Sequence, residues 1–94
     1  MRINFYATFR QIVGDKTIDL PITGEVTVQH LLDQIILRYP ALRRELFDEH
    51  DCLYPHVHVL IEDRDVTYLK DGLQTLISSA DSVNIFPPVV GGAG

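Results

Sequence analysis

The 94-residue sequence has one cysteine, no tryptophan and no long apolar run. A lone Cys52 cannot form a disulfide within the chain, and it is typical of proteins in a reducing compartment. A membrane-spanning helix needs roughly 18 or more consecutive apolar residues, and the residues after Met1 alternate in polarity instead of forming the apolar core of a secretory signal. These absences predict a cytoplasmic protein with no membrane association.

Basic residues are also scarce. Eight Lys and Arg stand against thirteen Asp and Glu, which gives a net charge of −5. A protein that binds nucleic acid normally carries a basic stripe, because neutralising phosphates supplies much of its affinity. The sequence shows no such stripe, so we expect no nucleic-acid partner. The acidity favours docking on a basic protein surface, where opposite charges assist encounter.

Several catalytic motifs are missing, including the glycine-rich phosphate loops, the G-x-S-x-G elbow and H-E-x-x-H. One small core also leaves little concave volume for a substrate. The neighbouring Asp63 and Asp65 lie in a predicted turn and are expected to be solvated loop charges. The sequence therefore does not predict a catalyst that acts by itself.

A cluster of candidate zinc ligands lies in the middle of the chain: His50, Asp51, Cys52, His56 and His58. Imidazole and thiolate are ordinary zinc ligands. However, the paired C-x-x-C or H-x-x-x-H spacing of structural zinc sites is absent. We expect surface histidines beside an unreactive cysteine and no bound metal, and a zinc site stays as the alternative.

Periodicity predicts strands over residues 2–9, 16–20, 56–61, 66–68 and 82–86. Residues 28–39 carry apolar side chains at helical spacing, with Thr27 as the N-cap and Pro40 ending the helix. Leu42 and Leu46 predict a second, shorter helical turn. This order is an α+β pattern with a mixed sheet, in which the first and last strands are parallel neighbours and a right-handed crossover places the helix on one face. Ubiquitin has the same β-grasp arrangement.

The strand pattern also predicts an apolar patch on the outer face of the sheet. If the inward positions pack against the helix, then Tyr6, Leu60 and Phe86 point away from it and lie side by side. A contiguous exposed apolar patch commonly marks a partner site, and aromatic side chains are frequent anchors there. The alternative is a satellite cluster covered by a loop.

The predicted β-grasp domain covers residues 1–86, and residues 87–94 form a flexible tail. The tail has no charge and three glycines, and when extended it reaches roughly 25 Å. Pro87 and Pro88 cannot donate to the sheet ladder, while Gly91 and Gly92 have no Cβ and can thread a narrow channel. Such a tail presents its end to a second enzyme; the alternative is a frayed terminus.

The whole chain resembles the MoaD/ThiS family of ubiquitin-like sulfur carriers, particularly the small subunit of molybdopterin synthase. The matching segments are Phe-Arg-Gln-Ile-Val-Gly at 9–14, Asp-Ser-Val at 81–83 and Phe-Pro-Pro-Val-Val-Gly-Gly at 86–92. Residues 72–76 also resemble archaeal-type members and the carrier of a cysteine-synthesis pathway.

The resemblance implies that an E1-like adenylyltransferase uses ATP to activate a C-terminal glycine, which then becomes a thiocarboxylate. Gly92 would react and Gly91 would pass through the channel. The contacts with partners would come from six residues: Phe86, Pro87, Pro88, Val89, Tyr6 and Leu60. The sulfur would go to molybdopterin through a synthase large subunit, or to another accepting enzyme in cysteine, thiamine or transfer-RNA thiolation.

Two points stay open at this stage. Family members normally end at the second glycine, whereas Ala93 and Gly94 follow here. Either a protease trims them, or Gly94 is the activated end, or activation is lost. The alternative function is a ubiquitin-like modifier that is conjugated to lysines; the chain's own lysines are only Lys16 and Lys70, which favours single attachment over chains.

Overall fold

The computed structural model describes residues 1–88 of the chain. The strands are β1 (Arg2–Phe5), β2 (Thr17–Asp19), β3 (Glu25–Thr27), β4 (His58–Ile61), β5 (Arg64–Asp65), β6 (Leu76–Ser78) and β7 (Val83–Phe86). The α-helices are α1 (Ala7–Val13), α2 (Val28–Arg38) and α3 (Arg43–Leu46). Short 3-10 helices cover Pro40–Leu42, Val66–Tyr68 and Gly72–Gln74.

The main sheet has five strands in the order β2-β1-β7-β4-β5. Strands β1 and β7 are parallel, with Ile3 opposite Val83 and Phe5 opposite Ile85. The other neighbours are antiparallel, and β3 pairs with β6 in a separate two-stranded sheet. This mixed sheet confirms the predicted α+β class and β-grasp topology, including the parallel pairing of the first and last strands.

The core lies between this sheet and α2. The helix buries Val28, Leu31, Leu32 and Ile35 completely, because these residues recur at helical spacing along one side. Its N-terminus is capped as predicted: the Thr27 hydroxyl accepts from the backbone N–H of His30 at 3.0 Å. The sheet contributes fully buried side chains at alternate positions of its central strands, namely Ile3, Phe5, Val83 and Ile85.

The predicted first strand is wrong beyond Phe5. The chain turns at Ala7, whose φ of 52° is left-handed, and continues as α1 until Gly14 ends the helix with φ 90°. Phe9 and Val13 are buried on one side of this helix, and their i, i+4 spacing is helical. Ala7, which lies within the predicted first strand, is instead an exposed residue at the start of this helix.

Three other features of the secondary structure differ from the prediction. Residues 66–68 form a 3-10 helix because the Asp65 carboxylate accepts from the Thr67 backbone N–H; the fourth strand of the sheet is Arg64–Asp65 instead. The third predicted strand begins at His58, two residues late. The pair β3 and β6 was not expected, since strands of three residues show little alternation.

Among residues 1–88, none of the helices combines the length and the apolar character that crossing a membrane requires.

Candidate docking face at the root of the C-terminal segment

Two aromatic rings stack where the sheet ends. Phe86 closes β7 and Tyr6 lies just after β1, and their ring centroids are 4.2 Å apart with an angle of 14° between the planes. Leu60 lies on the same outer face of the neighbouring strand β4, and all three side chains are partly exposed. The structure therefore brings together the three residues predicted for this face. They can meet because β1 and β7 are parallel neighbours.

Hydrogen bonds on the outer face hold the Tyr6 ring in place. The Asn84 side-chain oxygen accepts from the Tyr6 hydroxyl at 3.0 Å and from the Asn4 amide nitrogen at 2.9 Å. The Thr17 hydroxyl donates to the Asn4 side-chain oxygen at 2.7 Å. These bonds link β2, β1 and β7, so the face is ordered before any partner arrives, which lowers the entropic cost of docking.

An open groove of about 610 Å³ covers this end of the face. Tyr6, Leu60 and Phe86 line it together with Pro87 and Pro88, so its floor is largely apolar. One side of the groove is polar, because it is lined by His58, Asp63 and Asp65. Ala7 completes the lining, and we call these nine residues the outer groove.

A second groove of about 540 Å³ lies on the other side of the departing chain. It is lined by Ala7, Thr8, Phe9, Arg44, Glu45, Tyr54, His56, Pro87 and Pro88. Ala7 and the two prolines border both grooves. The chain therefore leaves the sheet between two concave surfaces, beside an alanine with a strained left-handed backbone, and such strain is frequent at functional sites.

Asp65 differs from the solvated turn charge expected from the sequence. Its side chain is only 15% exposed. One carboxylate oxygen lies 2.8 Å from Nδ1 of His58, and the other accepts from the Thr67 backbone N–H at 2.8 Å. Burial by itself raises the pKa of Asp65, but the hydrogen bonds from His58 and Thr67 outweigh it and hold that pKa below its ordinary value.

The candidate zinc ligands are not assembled. His56 lines the second groove, and His58 lines the outer groove. Cys52 and His50 lie in a loop where a single Asp48 oxygen accepts from both of their backbone N–H groups; these bonds lower the pKa of Asp48. Within residues 1–88 no group of three or more His, Cys, Asp or Glu is placed to hold a metal.

Some predicted site residues lie outside the described part of the chain: Val89, Gly91, Gly92 and Gly94. Two others, Pro87 and Pro88, are partly exposed at the root. Sequence reasoning did not predict that the grooves are lined by Ala7, His58, Asp63 and Asp65. Alternation placed His58 on the outer face, but it gave no signal that the turn after Ile61 brings Asp63 there.

The chain is similar to known proteins over almost its whole length. The model of the ThiS family matches residues 3–92. Small archaeal modifier protein 3 of Haloferax volcanii is 37% identical over 92 residues, covering 98% of this chain and 98% of that protein.

Solved structures show the same fold. The crystal structure of SAMP1 from Haloferax volcanii matches with a TM-score of 0.84 and 28% identity over 98% of both chains. A putative molybdopterin converting factor, subunit 1, from Pyrococcus furiosus matches with a TM-score of 0.72 over 94% of this chain and 95% of that one. Its identity is 24%, so it supports the fold alone. The chain has the ubiquitin-like fold of the sulfur carriers and belongs to the ThiS family.

Proposed function

We propose that this chain is a sulfur carrier whose C-terminal glycine is activated by an E1-like adenylyltransferase and converted to a thiocarboxylate. The observation that carries the proposal is the family match, which covers nearly the whole chain and ends at residue 92. That residue is the second glycine of Gly91–Gly92. Gly92 is therefore the reacting residue, after Ala93 and Gly94 have been removed by a protease.

The chemistry is supplied by the partners. A carboxylate oxygen of Gly92 attacks the α-phosphate of ATP and pyrophosphate leaves, which gives an acyl-adenylate. A sulfide-level sulfur delivered by a partner enzyme then attacks the carbonyl carbon, and AMP leaves with the bonding electrons. ATP belongs to the activating enzyme, and this chain needs no tightly bound cofactor of its own.

The chain's own contribution is docking. The Tyr6–Phe86 stack and Leu60 offer an apolar surface directly at the root of the reacting segment, and Pro87 and Pro88 border it. A partner bound there fixes the position of Pro88, where the segment begins. The length of chain between Pro88 and Gly92 then sets how far from Pro88 the active site of that partner can lie. The same face serves first the adenylyltransferase and then the sulfur-accepting enzyme.

Mass spectrometry of the protein purified from its host tests this function. We expect a chain that ends at Gly92 and carries sulfur in place of one carboxylate oxygen. Reconstitution with the E1-like enzyme of the host and ATP gives the matched control: a recombinant chain ending at Gly92 is adenylated, and the chain ending at Gly94 is not. An intact host chain ending at Gly94 with ordinary oxygen contradicts the proposal.

For the sulfur acceptor we propose the precursor of molybdopterin, acting through a synthase large subunit. The resemblance of residues 86–92 to the small subunit of molybdopterin synthase supports this choice. Deleting the gene then abolishes molybdoenzyme activity while growth without added cysteine or thiamine continues. A requirement for cysteine or thiamine, or loss of thiolated transfer RNA, assigns the sulfur to that pathway instead.

A second candidate function is conjugation to other proteins, and the relatives favour it because two of them are named small archaeal modifier proteins. The same acyl-adenylate serves both functions, since a lysine amine in place of sulfide gives an isopeptide bond. Higher-mass bands of a tagged chain in host cells, absent when Gly91 and Gly92 are replaced, support conjugation. Sulfur transfer without such bands argues against it.

A further inference from the structure

The outer groove has two unlike sides. The floor is apolar, with Leu60 and Phe86 beside the Tyr6 ring. The side formed by β4 and β5 is acidic, because Asp63 and Asp65 both line it. Carboxylates beside an apolar surface interact more strongly with a cation than they do in open water, since fewer water molecules screen the pair.

A strained turn holds Asp63 at this side. Glu62 and Asp63 connect β4 to β5, and their φ angles of 49° and 67° are both left-handed, although neither is glycine. Two hydrogen bonds anchor the turn: the Ser82 backbone N–H donates to the Glu62 carboxylate at 2.6 Å, and the Glu62 N–H donates to the Ser82 carbonyl at 3.0 Å. The tertiary structure thus fixes two consecutive left-handed residues, a turn conformation that glycine or asparagine usually adopts.

The two carboxylates are not equivalent. Asp65 is already engaged by His58 and by the Thr67 backbone N–H. The Asp63 carboxylate is exposed, and within residues 1–88 it has neither a hydrogen bond nor an ion pair. Asp63 is therefore the acceptor that remains open to a ligand at the edge of the groove.

A lysine approaches the outer groove from the opposite edge of the sheet. Lys16 precedes β2, and its ammonium group lies 5.9 Å from the centre of the Tyr6 ring, which lines the groove. Since β2 and β5 are the two edges of the five-stranded sheet, Lys16 and Asp63 reach the groove from opposite sides. A cation that enters the groove is attracted by Asp63 and repelled by Lys16.

We propose that the outer groove binds an arginine of the docking partner, with the guanidinium paired to Asp63 and its planar face lying over Phe86 and Leu60. Arginine fits better than lysine because its planar fork matches a carboxylate and also stacks on an aromatic ring. This inference rests on the docking role proposed above and names the partner's chemistry: a basic segment whose arginine adjoins an apolar side chain.

A titration that needs no partner protein tests the recognition chemistry. The full ¹⁵N-labelled chain is titrated with benzamidine, a planar cation on an aromatic ring, and separately with neutral benzyl alcohol and anionic benzoate. We expect benzamidine to bind most tightly and to shift the amide signals of Leu60, Asp63 and Phe86, while the Lys16 amide stays unchanged. Equal binding of benzyl alcohol or benzoate overturns the proposal.

A pair of matched variants isolates the Asp63 charge. Asp63→Asn removes one charge and keeps a residue that tolerates left-handed φ, so the turn is retained. Asp71→Asn removes the same charge at an exposed site whose side chain caps no helix. Benzamidine affinity should fall about threefold for Asp63→Asn, the size of an exposed ion pair, and stay unchanged for Asp71→Asn. Equal losses mean long-range charge alone and overturn the proposal.

Kinetics with the host's E1-like enzyme extend the test to a protein partner. In ATP–pyrophosphate exchange with chains that end at Gly92, Asp63→Asn should raise KM for the carrier about threefold to fivefold, leave kcat unchanged and weaken the dependence of KM on salt. Asp71→Asn should do none of these. If the wild-type chain ending at Gly92 supports no exchange, the proposed function fails, whereas the benzamidine titration still decides the arginine site. Shifts in the outer groove on raising protein concentration without a probe mean that a second copy occupies it, and they overturn the proposal.

Discussion

The two faces of β7 have unlike surroundings. Val83 and Ile85 point inward and are completely buried, while Asn84 and Phe86, on the same strand, point outward and are half-buried. Alternate side chains of a strand point to opposite faces. One four-residue strand thus places core and candidate docking residues only about 3.4 Å apart along the chain.

Substitutions on the two faces should therefore affect stability and recognition separately. Burying an aliphatic or aromatic side chain stabilises a fold by about 1.5–3 kcal/mol, and the inner face consists of such side chains. The outer face joins its aromatic stack to a network of amides, in which Asn84 accepts two hydrogen bonds. Substitutions one position apart should therefore have unlike consequences.

The largest effect is expected from Ile85→Asp. A carboxylate at this fully buried position loses its hydration without gaining a partner, in addition to the lost packing of the isoleucine. We expect loss of more than about 4 kcal/mol of unfolding free energy, which leaves the domain unfolded by circular dichroism at room temperature. Ile85→Val is the control and should stay folded. A folded Ile85→Asp protein means that the two faces have been assigned the wrong way round.

The neighbouring Phe86→Asp should leave the domain folded. Its ring is partly exposed, and loss of the stack with Tyr6 costs about 0.5–1.5 kcal/mol. Binding to the E1-like enzyme, measured by isothermal titration calorimetry, should weaken by about 2 kcal/mol or more, as for an aromatic hot spot. Phe86→Leu retains apolar contact and should lose less. Unchanged binding of Phe86→Asp would remove the outer face from the docking surface.

A moderate effect is expected at the helix that covers the inner face. Thr27→Ala removes the hydroxyl that accepts from the His30 backbone N–H, and loss of an N-cap costs about 1 kcal/mol. Urea unfolding measures this loss, and binding to the partner should not change. Thr27→Ser keeps the hydroxyl and should be nearly as stable as the wild type. Equal losses for both variants would attribute the effect to packing instead of the cap.

The smallest effect is expected from Asp65 on the outer face. The folded-state pKa of Asp65 lies below its ordinary value of 3.8. The ionised carboxylate therefore stabilises the fold when the pH is above 3.8, and this stabilisation is lost as the pH falls through the folded-state pKa. The stability advantage of the wild type over Asp65→Asn, less than about 1 kcal/mol, should shrink below a pH of about 4. Urea unfolding across the acid range measures it. An advantage that is constant with pH contradicts the role of the carboxylate.

The sequence predicted the sheet faces well because alternation is a local property of each strand. Ile3, Phe5 and Ile85 are buried and Phe86 is not, as period-2 spacing requires. The prediction failed for residues 7–9, because no charged residue or turn-forming residue separates the apolar residues of β1 from those of α1. The i, i+4 pair Phe9 and Val13, followed by Gly14, was the helix signal.

The acidic edge of the outer groove was beyond prediction from the sequence. The pair Glu62 and Asp63 is an unusual choice for a turn with two left-handed residues, which Asn-Gly or Gly-Gly commonly forms. Ser82, twenty positions away in the chain, stabilises that turn through its backbone. Such a contact depends on the folded sheet, so no local pattern indicates it.

The central position of β7 also has a mechanical consequence. Since β7 pairs with β1 on one side and β4 on the other, tension applied beyond Phe86 loads two rows of hydrogen bonds along their length. Those two rows resist shear together, whereas an edge strand pulled in the same direction would be held by one row. An enzyme that pulls the C-terminal segment into its active site therefore pulls on a strand that is held on both sides.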